Sequence, residues 1–116
     1  MARLAEVVYA MSAVDKAGRV ADRNVVQALG WPPRTRVDVG VRKGLIVVAS
    51  AADGLGRLDG DGRLILPLVV RRRCGLVAGA RLLLAADVSR AVLTGYPAAV
   101  LDRLLGVGAS DGGESA

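Results

Sequence analysis

Apolar and polar positions alternate strictly in Arg36-Val-Asp-Val-Gly-Val-Arg42. A period of two predicts a strand with Val37, Val39 and Val41 on one buried face. Lys43-Gly44 predicts a turn, and Leu45 to Ala49 a returning, more fully buried strand. A second hairpin reads from Arg81 to Ala86, through a turn near Asp87-Val-Ser89, to a strand from Arg90 to Thr94. Glu6 to Val14 reads as a leading strand, and Ala51 to Gly56 as a connector. Asp15-Lys-Ala-Gly18 and Asp59-Gly-Asp-Gly62 carry turn chemistry: Gly accepts positive φ, and Asp bonds nearby backbone. Arg63 to Leu66 predicts a short strand. Pro67 suits the first position of a helix running to about Cys74, with Gly75 at its left-handed end; Asp22 can cap a similar helix ending at Gly30. Pro97 to Leu105 reads as a helix with Val100, Leu101, Leu104 and Leu105 as its apolar stripe, packed on its own domain. From Gly106 onward the Gly/Ser-rich tail has little to bury and is expected to be disordered.

These elements occur twice. Val14-Asp-Lys-Ala-Gly-Arg-Val20 lines up with Leu58-Asp-Gly-Asp-Gly-Arg-Leu64 at an offset of 44. Leu29-Gly-Trp31 then answers Cys74-Gly-Leu76, and Arg36-Val37 answers Arg81-Leu82, at an offset of 45, so the first copy is one residue shorter between Val20 and Leu29. The expected organisation is a diverged first repeat over 1–54 with the leading strand, and a second repeat over 55–106 with the C-terminal helix. The tail covers 107–116. A unit of about 45 residues is marginal alone, so the copies are expected to share one core.

The second copy resembles the signature of the AbrB/MazE/SpoVT swapped-hairpin family: Asp-x-x-Gly-Arg-apolar-x-apolar-Pro, three residues, Arg, then a short gap to Leu-Gly-apolar. Asp59, Gly62, Arg63, Leu64, Leu66, Pro67, Arg71, Gly75 and Leu76 fall on it, with Cys74 in place of the Leu. The first copy keeps Asp15, Gly18, Arg19, Val20, Leu29 and Gly30 but lacks the Pro, and Val26 and Gln27 stand at the paired Arg positions. Members of this family usually carry one unit per chain and dimerise by exchanging hairpins into a shared barrel-like sheet. Two units in one chain imply an intramolecular pseudo-dimer, similar to the tandem-repeat, MraZ-like arrangement. The implied fold is mainly β (α+β), each repeat carrying one short helix.

The resemblance implies DNA binding through an arginine-rich surface. Arg71 and Arg72 match the two basic positions that face DNA, and Arg63 and Arg19 the Arg after the turn glycine. Arg57 matches a basic segment beside that surface. Arg73 continues the run, but successive helical residues point about 100° apart, so all three cannot face one target. Plainer readings stand beside these: a solvated basic helix face, and ion pairs of Arg63 or Arg19 with Asp59 or Asp15 that anchor the turns. Arg23 is read as exposed on the altered helix, Trp31 as a core residue in the slot of Leu76.

Composition narrows the field. The 116 residues are 53% apolar with no Phe, one Trp and two Tyr, enough for an aliphatic core, so global disorder is not expected. No apolar run approaches the length of a membrane-spanning helix, the N-terminus lacks a signal-peptide layout, and Cys74 is alone; together these predict a cytoplasmic chain. Net charge is +5, and only Lys16 and Lys43 of the 16 basic residues are lysines. Up to Gly106, 16 basic residues face 9 acidic ones, which favours a polyanionic partner. Without His, neither a Ser/His/Asp triad nor a typical zinc site can form, so no enzyme, cofactor or metal is expected. The expected partner is duplex DNA. Two-fold related half-sites would need two second copies, hence at least a homodimer. The competing readings are an antitoxin that holds a toxin protein through Pro97 to Leu105, and an oligomerisation module that no longer binds DNA.

Overall fold

Short aliphatic strands dominate the computed structural model, which describes residues 6–106; the expected tail over 107–116 lies outside the described residues. The elements are β1 (Val7–Ala13), α1 (Asn24–Ala28), β2 (Arg36–Arg42), β3 (Leu45–Ser50), β4 (Gly56–Arg57), α2 (Leu68–Arg73), β5 (Arg81–Asp87), β6 (Val92–Pro97) and α3 (Ala98–Leu105). Six strands form one antiparallel sheet in the order β1-β5-β6-β3-β2-β4. No helix among the described residues is long and apolar enough to cross a membrane.

The order is a palindrome of the duplicated sequence. The two hairpins, β2–β3 and β5–β6, meet in the middle through β3 and β6. Each leading strand leaves its own half: β1 pairs with β5, and the two-residue β4 pairs with β2. Register repeats as well. Arg36 faces Arg57 where Arg81 faces Ala13, and Val37 faces Gly56 where Leu82 faces Ser12. Val37 lies opposite Ser50 as Leu82 lies opposite Pro97, so the offset of 45 in the first hairpin strand becomes 47 in the second. The helices follow the same rule, α1 lying against β1 and β5, and α2 against β2.

One core serves both halves. Val14, Val20, Val37, Ile46 and Val48 of the first are buried together with Leu58, Leu64, Leu66, Leu82, Leu84 and Leu93 of the second. Trp31 and Leu76, in matching slots, are each 8% exposed, so Trp31 packs as a core residue. The two turn segments cross over this core. Val20 N–H donates to Leu64 O at 2.8 Å, Leu66 N–H donates to Gly18 O at 2.8 Å, and Arg19 bridges Ile65.

Several expectations need correction. Val37 is buried, but Val39 and Val41 on the same face are only half-buried, because β4 covers just the start of β2. β3 is, as expected, more fully buried than β2, with Ile46 and Val48 buried and their neighbours half-buried. Arg63 to Leu66 forms isolated bridges at Leu64 and Ile65, not a strand, since its partner is itself a turn segment. Pro67 precedes the first helical residue of α2. The second hairpin's return strand is Val92–Pro97, because Asp87 Oδ1 accepts the Arg90 N–H and the Ser89 hydroxyl, and Ala91 takes φ 55°. That loop is two residues longer than the Lys43-Gly44 turn, which accounts for the offset change. Finally, α3 buries no residue, and Leu104 and Leu105 are 65% and 66% exposed. The stripe packs on the domain only through its first half: Val100 and Leu101 are half-buried, with Val100 against Gly44, while Leu104 and Leu105 stay uncovered.

Strand exchange makes a test of interdependence direct. Residues 1–54 or 55–106 expressed alone lack a partner for their leading strand and are expected to be unfolded or self-associated by circular dichroism and light scattering. A monomeric fragment that unfolds cooperatively in urea would contradict a shared core.

Candidate nucleic-acid interface

The two Asp turns are built identically from short side-chain-to-backbone bonds. Asp15 Oδ1 accepts the N–H groups of Ala17 and Arg19, both at 2.9 Å. Asp59 Oδ1 accepts those of Asp61 and Arg63, both at 2.9 Å. Gly18 and Gly62 close the turns at φ 83° and 84°, a region open to glycine at little steric cost. The Arg19 N–H lowers the Asp15 carboxyl below its ordinary value most, partial desolvation opposing it, with the Arg19 guanidinium and the Ala17 N–H adding to the effect. Asp59 is lowered the same way, first by the Arg63 N–H, against desolvation, and then by the Asp61 N–H and the charges of Arg19 and Arg63.

Arginines from both halves converge on these turns. Arg19 Nε donates to Asp15 Oδ2 at 2.9 Å, and its Nη1 lies 3.8 Å from Asp59 Oδ2. The predicted Arg19–Asp15 ion pair is present. Arg63 pairs instead with Asp61, Nη1 to Oδ2 at 3.7 Å. Arg23 Nη1 donates to the Asp61 carbonyl at 3.5 Å, so Arg23, although exposed, links α1 to the opposite half's turn. Arg34 is a site residue that the sequence reading passed over. Its N–H donates to the Asp59 carbonyl at 3.2 Å, and its guanidinium lies over Gly60, where an added Cβ would meet Nη2 at 3.2 Å. Arg34 also takes φ 67°, where Gly79, at the matching position 45 residues on, takes 88°. That offset was the available signal.

The α2 arginines divide. Arg71 is half-buried, and its Nε donates to the Leu66 carbonyl at 3.1 Å. It crosses over Gly18, where an added Cβ would stand 2.7 Å from Nε. Arg71 therefore ties α2 of one half to the turn of the other and is not simply an exposed charge. Arg72 and Arg73 are exposed and make no side-chain bond among the described residues. Arg57 is exposed at the sheet end, directly opposite Arg36, and makes no side-chain hydrogen bond or ion pair among the described residues. Arg19, Arg23, Arg34, Arg63 and Arg71 thus surround the two turns against Asp15, Asp59 and Asp61, an excess of positive charge. Burial pushes the Cys74 thiol up from its ordinary value despite Arg73, and the side chain packs partly buried against the core as a small hydrophobe.

Three outcomes follow from this geometry. The folded Asp15 and Asp59 bind protons less readily than in the unfolded chain, so their stabilisation is complete above the ordinary value of 3.8. It is lost as pH falls through the lowered values. Urea midpoints should drop between about pH 5 and pH 2, and less steeply in Asp15→Asn with Asp59→Asn. Arg71→Ala, losing a backbone bond, should reduce stability by about 0.5–1.5 kcal/mol, and Arg72→Ala by less than about 0.5 kcal/mol, in the same assay. Gly18→Ala should cost more than about 1 kcal/mol, since positive φ and the Arg71 contact both oppose a methyl group.

Comparison with known proteins adds no relative to this geometry: no family model, no curated protein and no solved structure matches the chain.

Proposed function

We propose that this chain is a DNA-binding transcriptional regulator of the AbrB/MazE/SpoVT swapped-hairpin type, with two repeats exchanged within one chain. The observation that carries the reading is the convergence of arginines from both halves on one pair of turns. Five guanidinium groups around two crossed Asp turns make a rigid basic surface whose backbone is set by hydrogen bonds shorter than 3.0 Å at each carboxylate. Phosphates are the natural partner of such a surface, because guanidinium forks match phosphate oxygens. Arg72 and Arg73, exposed beside it on α2, extend the cationic area. Phosphate contacts position the protein, and sequence selection would come largely from DNA shape. Strand exchange, the repeated register and the single core support the two-repeat reading of the fold. Two-fold operators would engage at least a homodimer.

One observation favours the antitoxin reading as a second choice. The end of the C-terminal helix leaves Leu104 and Leu105 exposed, and an uncovered pair of leucines suits a protein partner.

Salt dependence separates these readings. Duplex-DNA affinity of the full chain should fall linearly on a log–log plot against salt, since each neutralised phosphate releases condensed counterion. Arg72→Ala with Arg73→Ala should weaken binding to all sequences and lower the slope by about one unit per lost contact, without loss of stability. Gln27→Ala, at an exposed first-copy counterpart of the basic pair, should leave affinity unchanged. Unchanged affinity and slope in the double arginine variant, in Arg63→Ala and in Arg34→Ala would reject the surface. Loss of toxin capture in Leu104→Ser with Leu105→Ser, with DNA binding intact, would instead favour the second reading.

A further inference from the structure

The two ends of the sheet are finished differently. At one end, β4 is two residues long and ends on Arg57, and the rest of the β2 edge carries Asp38 and Arg42. Short strands and charges are common ways to stop an edge from recruiting another strand. At the other end stands β1, Val7-Val-Tyr-Ala-Met-Ser-Ala13, seven residues with no charge, no proline and full register against β5. Its outer face leaves Tyr9 63% and Met11 46% exposed, while Val8 and Ala10 pack toward the core.

Backbone direction along β1 follows from its fixed points. Glu6 O accepts the Val88 N–H, and Val14 bonds Ala80 through its N–H and Gly79 through its carbonyl, so even-numbered residues bond β5. Odd-numbered residues point their N–H and C=O groups outward. Ala13 O is taken by the Ala21 N–H. Val7, Tyr9 and Met11 have no backbone partner among the described residues. Three free rungs remain, at a spacing of two residues, on an apolar strand.

We propose that β1 is a self-association edge, pairing antiparallel with β1 of a second copy about a two-fold axis at Tyr9. The free rungs fix this register. Opposed odd residues must exchange hydrogen bonds, and only a centre at Tyr9 uses all three, setting Tyr9 against Tyr9 and Val7 against Met11 of the other copy. Each such pair exchanges two bonds. All of these side chains lie on the outer face, so a Val7, Tyr9 and Met11 row from each copy forms one apolar strip with an aromatic pair at its centre. The strand is neutral, whereas the arginines gather on the turns, so the seam brings no like charges face to face. The six-stranded sheet becomes continuous across two chains. The partner is a second copy because the same three rungs are both the donor set and the acceptor set. The inference rests on backbone pairing and stands whether or not the surface around the turns binds DNA.

Analytical ultracentrifugation of the full chain without DNA is the first measurement, and a concentration-dependent monomer–dimer equilibrium is expected. Tyr9→Lys places two cations opposite each other at the axis and should abolish the dimer at concentrations where the wild type forms it. Tyr9→Pro removes an N–H that faces outward and none that bonds β5, and it should do the same while keeping the melting transition. Register is read by cross-linking in a Cys74→Ser background. Hydrogen-bonded antiparallel partners sit about 5.5 Å apart at Cα, within disulfide reach. Tyr9→Cys should form a disulfide dimer with itself, and Val7→Cys should do so only when mixed with Met11→Cys. A monomeric wild type, or a dimer that survives both Tyr9 variants, overturns the proposal. So does Val7→Cys coupling to itself more readily than Tyr9→Cys, and this readout does not depend on a destabilising substitution.

Discussion

Each half of the chain carries a hairpin whose outer edge is not covered by its own leading segment. Both gaps are filled by crossing: β1 goes to β5, and β4 to β2. The crossing places the two Asp turns back to back over Val14, Val20, Leu58 and Leu64, each no more than 2% exposed. Burial of side chains of this size is worth roughly 1.5–3 kcal/mol apiece, far more than any single surface ion pair. Everything else about the candidate site follows from that crossing. The turns could not present arginines of one half to the carboxylates of the other unless the leading segments had changed sides.

Duplication leaves the two turns with one backbone and two different coverings. Arg71 covers Gly18, while Pro33 stands 4.0 Å from where a Cβ on Gly62 would be. Gly79 supplies the positive φ in one half, and Arg34 adopts it in the other. A non-glycine residue in the left-handed region carries a strain of about 1–2 kcal/mol. Glycine would remove that strain, and the second half shows that glycine suits the matching backbone. The side chain of Arg34 therefore compensates in some other way, through its position over Gly60 beside the second turn. The asymmetry collects Arg23, Arg34 and Arg63 on the Asp59–Gly62 turn, leaves the other turn with Arg71, and sets Arg19 between them, bonded to Asp15 and near Asp59.

What could be read from the sequence was whatever local chemistry decides. Asp-x-x-Gly-Arg dictates the turn because the carboxylate bonds the second and fourth N–H groups beyond it, and both copies do so. The β2–β3 hairpin was legible because Lys43 and Gly44 both take positive φ, which a two-residue turn requires. The second hairpin was misplaced at its return strand because Asp87 organises a wider loop, and a run such as Val88-Ser-Arg-Ala91 carries no periodic signal. The stripe on α3 has a helical period, but period alone does not say how much of it is covered, and here Val100 and Leu101 are half-buried while Leu104 and Leu105 are not. Arg19, Arg63 and Arg71 were marked in sequence by their places in the signature that the chain resembles. Arg23 and Arg34 reach the site only through the crossing, which no short window contains.

Charge balance around the turns gives the proposed surface its working character. Arg19 and its partner Asp15 are 40% and 38% exposed at their side chains, and pairs so exposed contribute about 0–1 kcal/mol. Such pairing is too weak to sequester a guanidinium from a phosphate, yet it is strong enough to orient one. The carboxylates are held by backbone N–H groups first and by arginines second, so they stay in place when an arginine turns to another anion. A basic surface without them would scatter its side chains and lose more entropy on ordering, of order 1 kcal/mol for each long side chain. The aspartates therefore cost the surface part of its net charge and return preorganisation. On the proposed reading, that exchange would favour a phosphate pattern of fixed geometry over diffuse attraction to any polyanion.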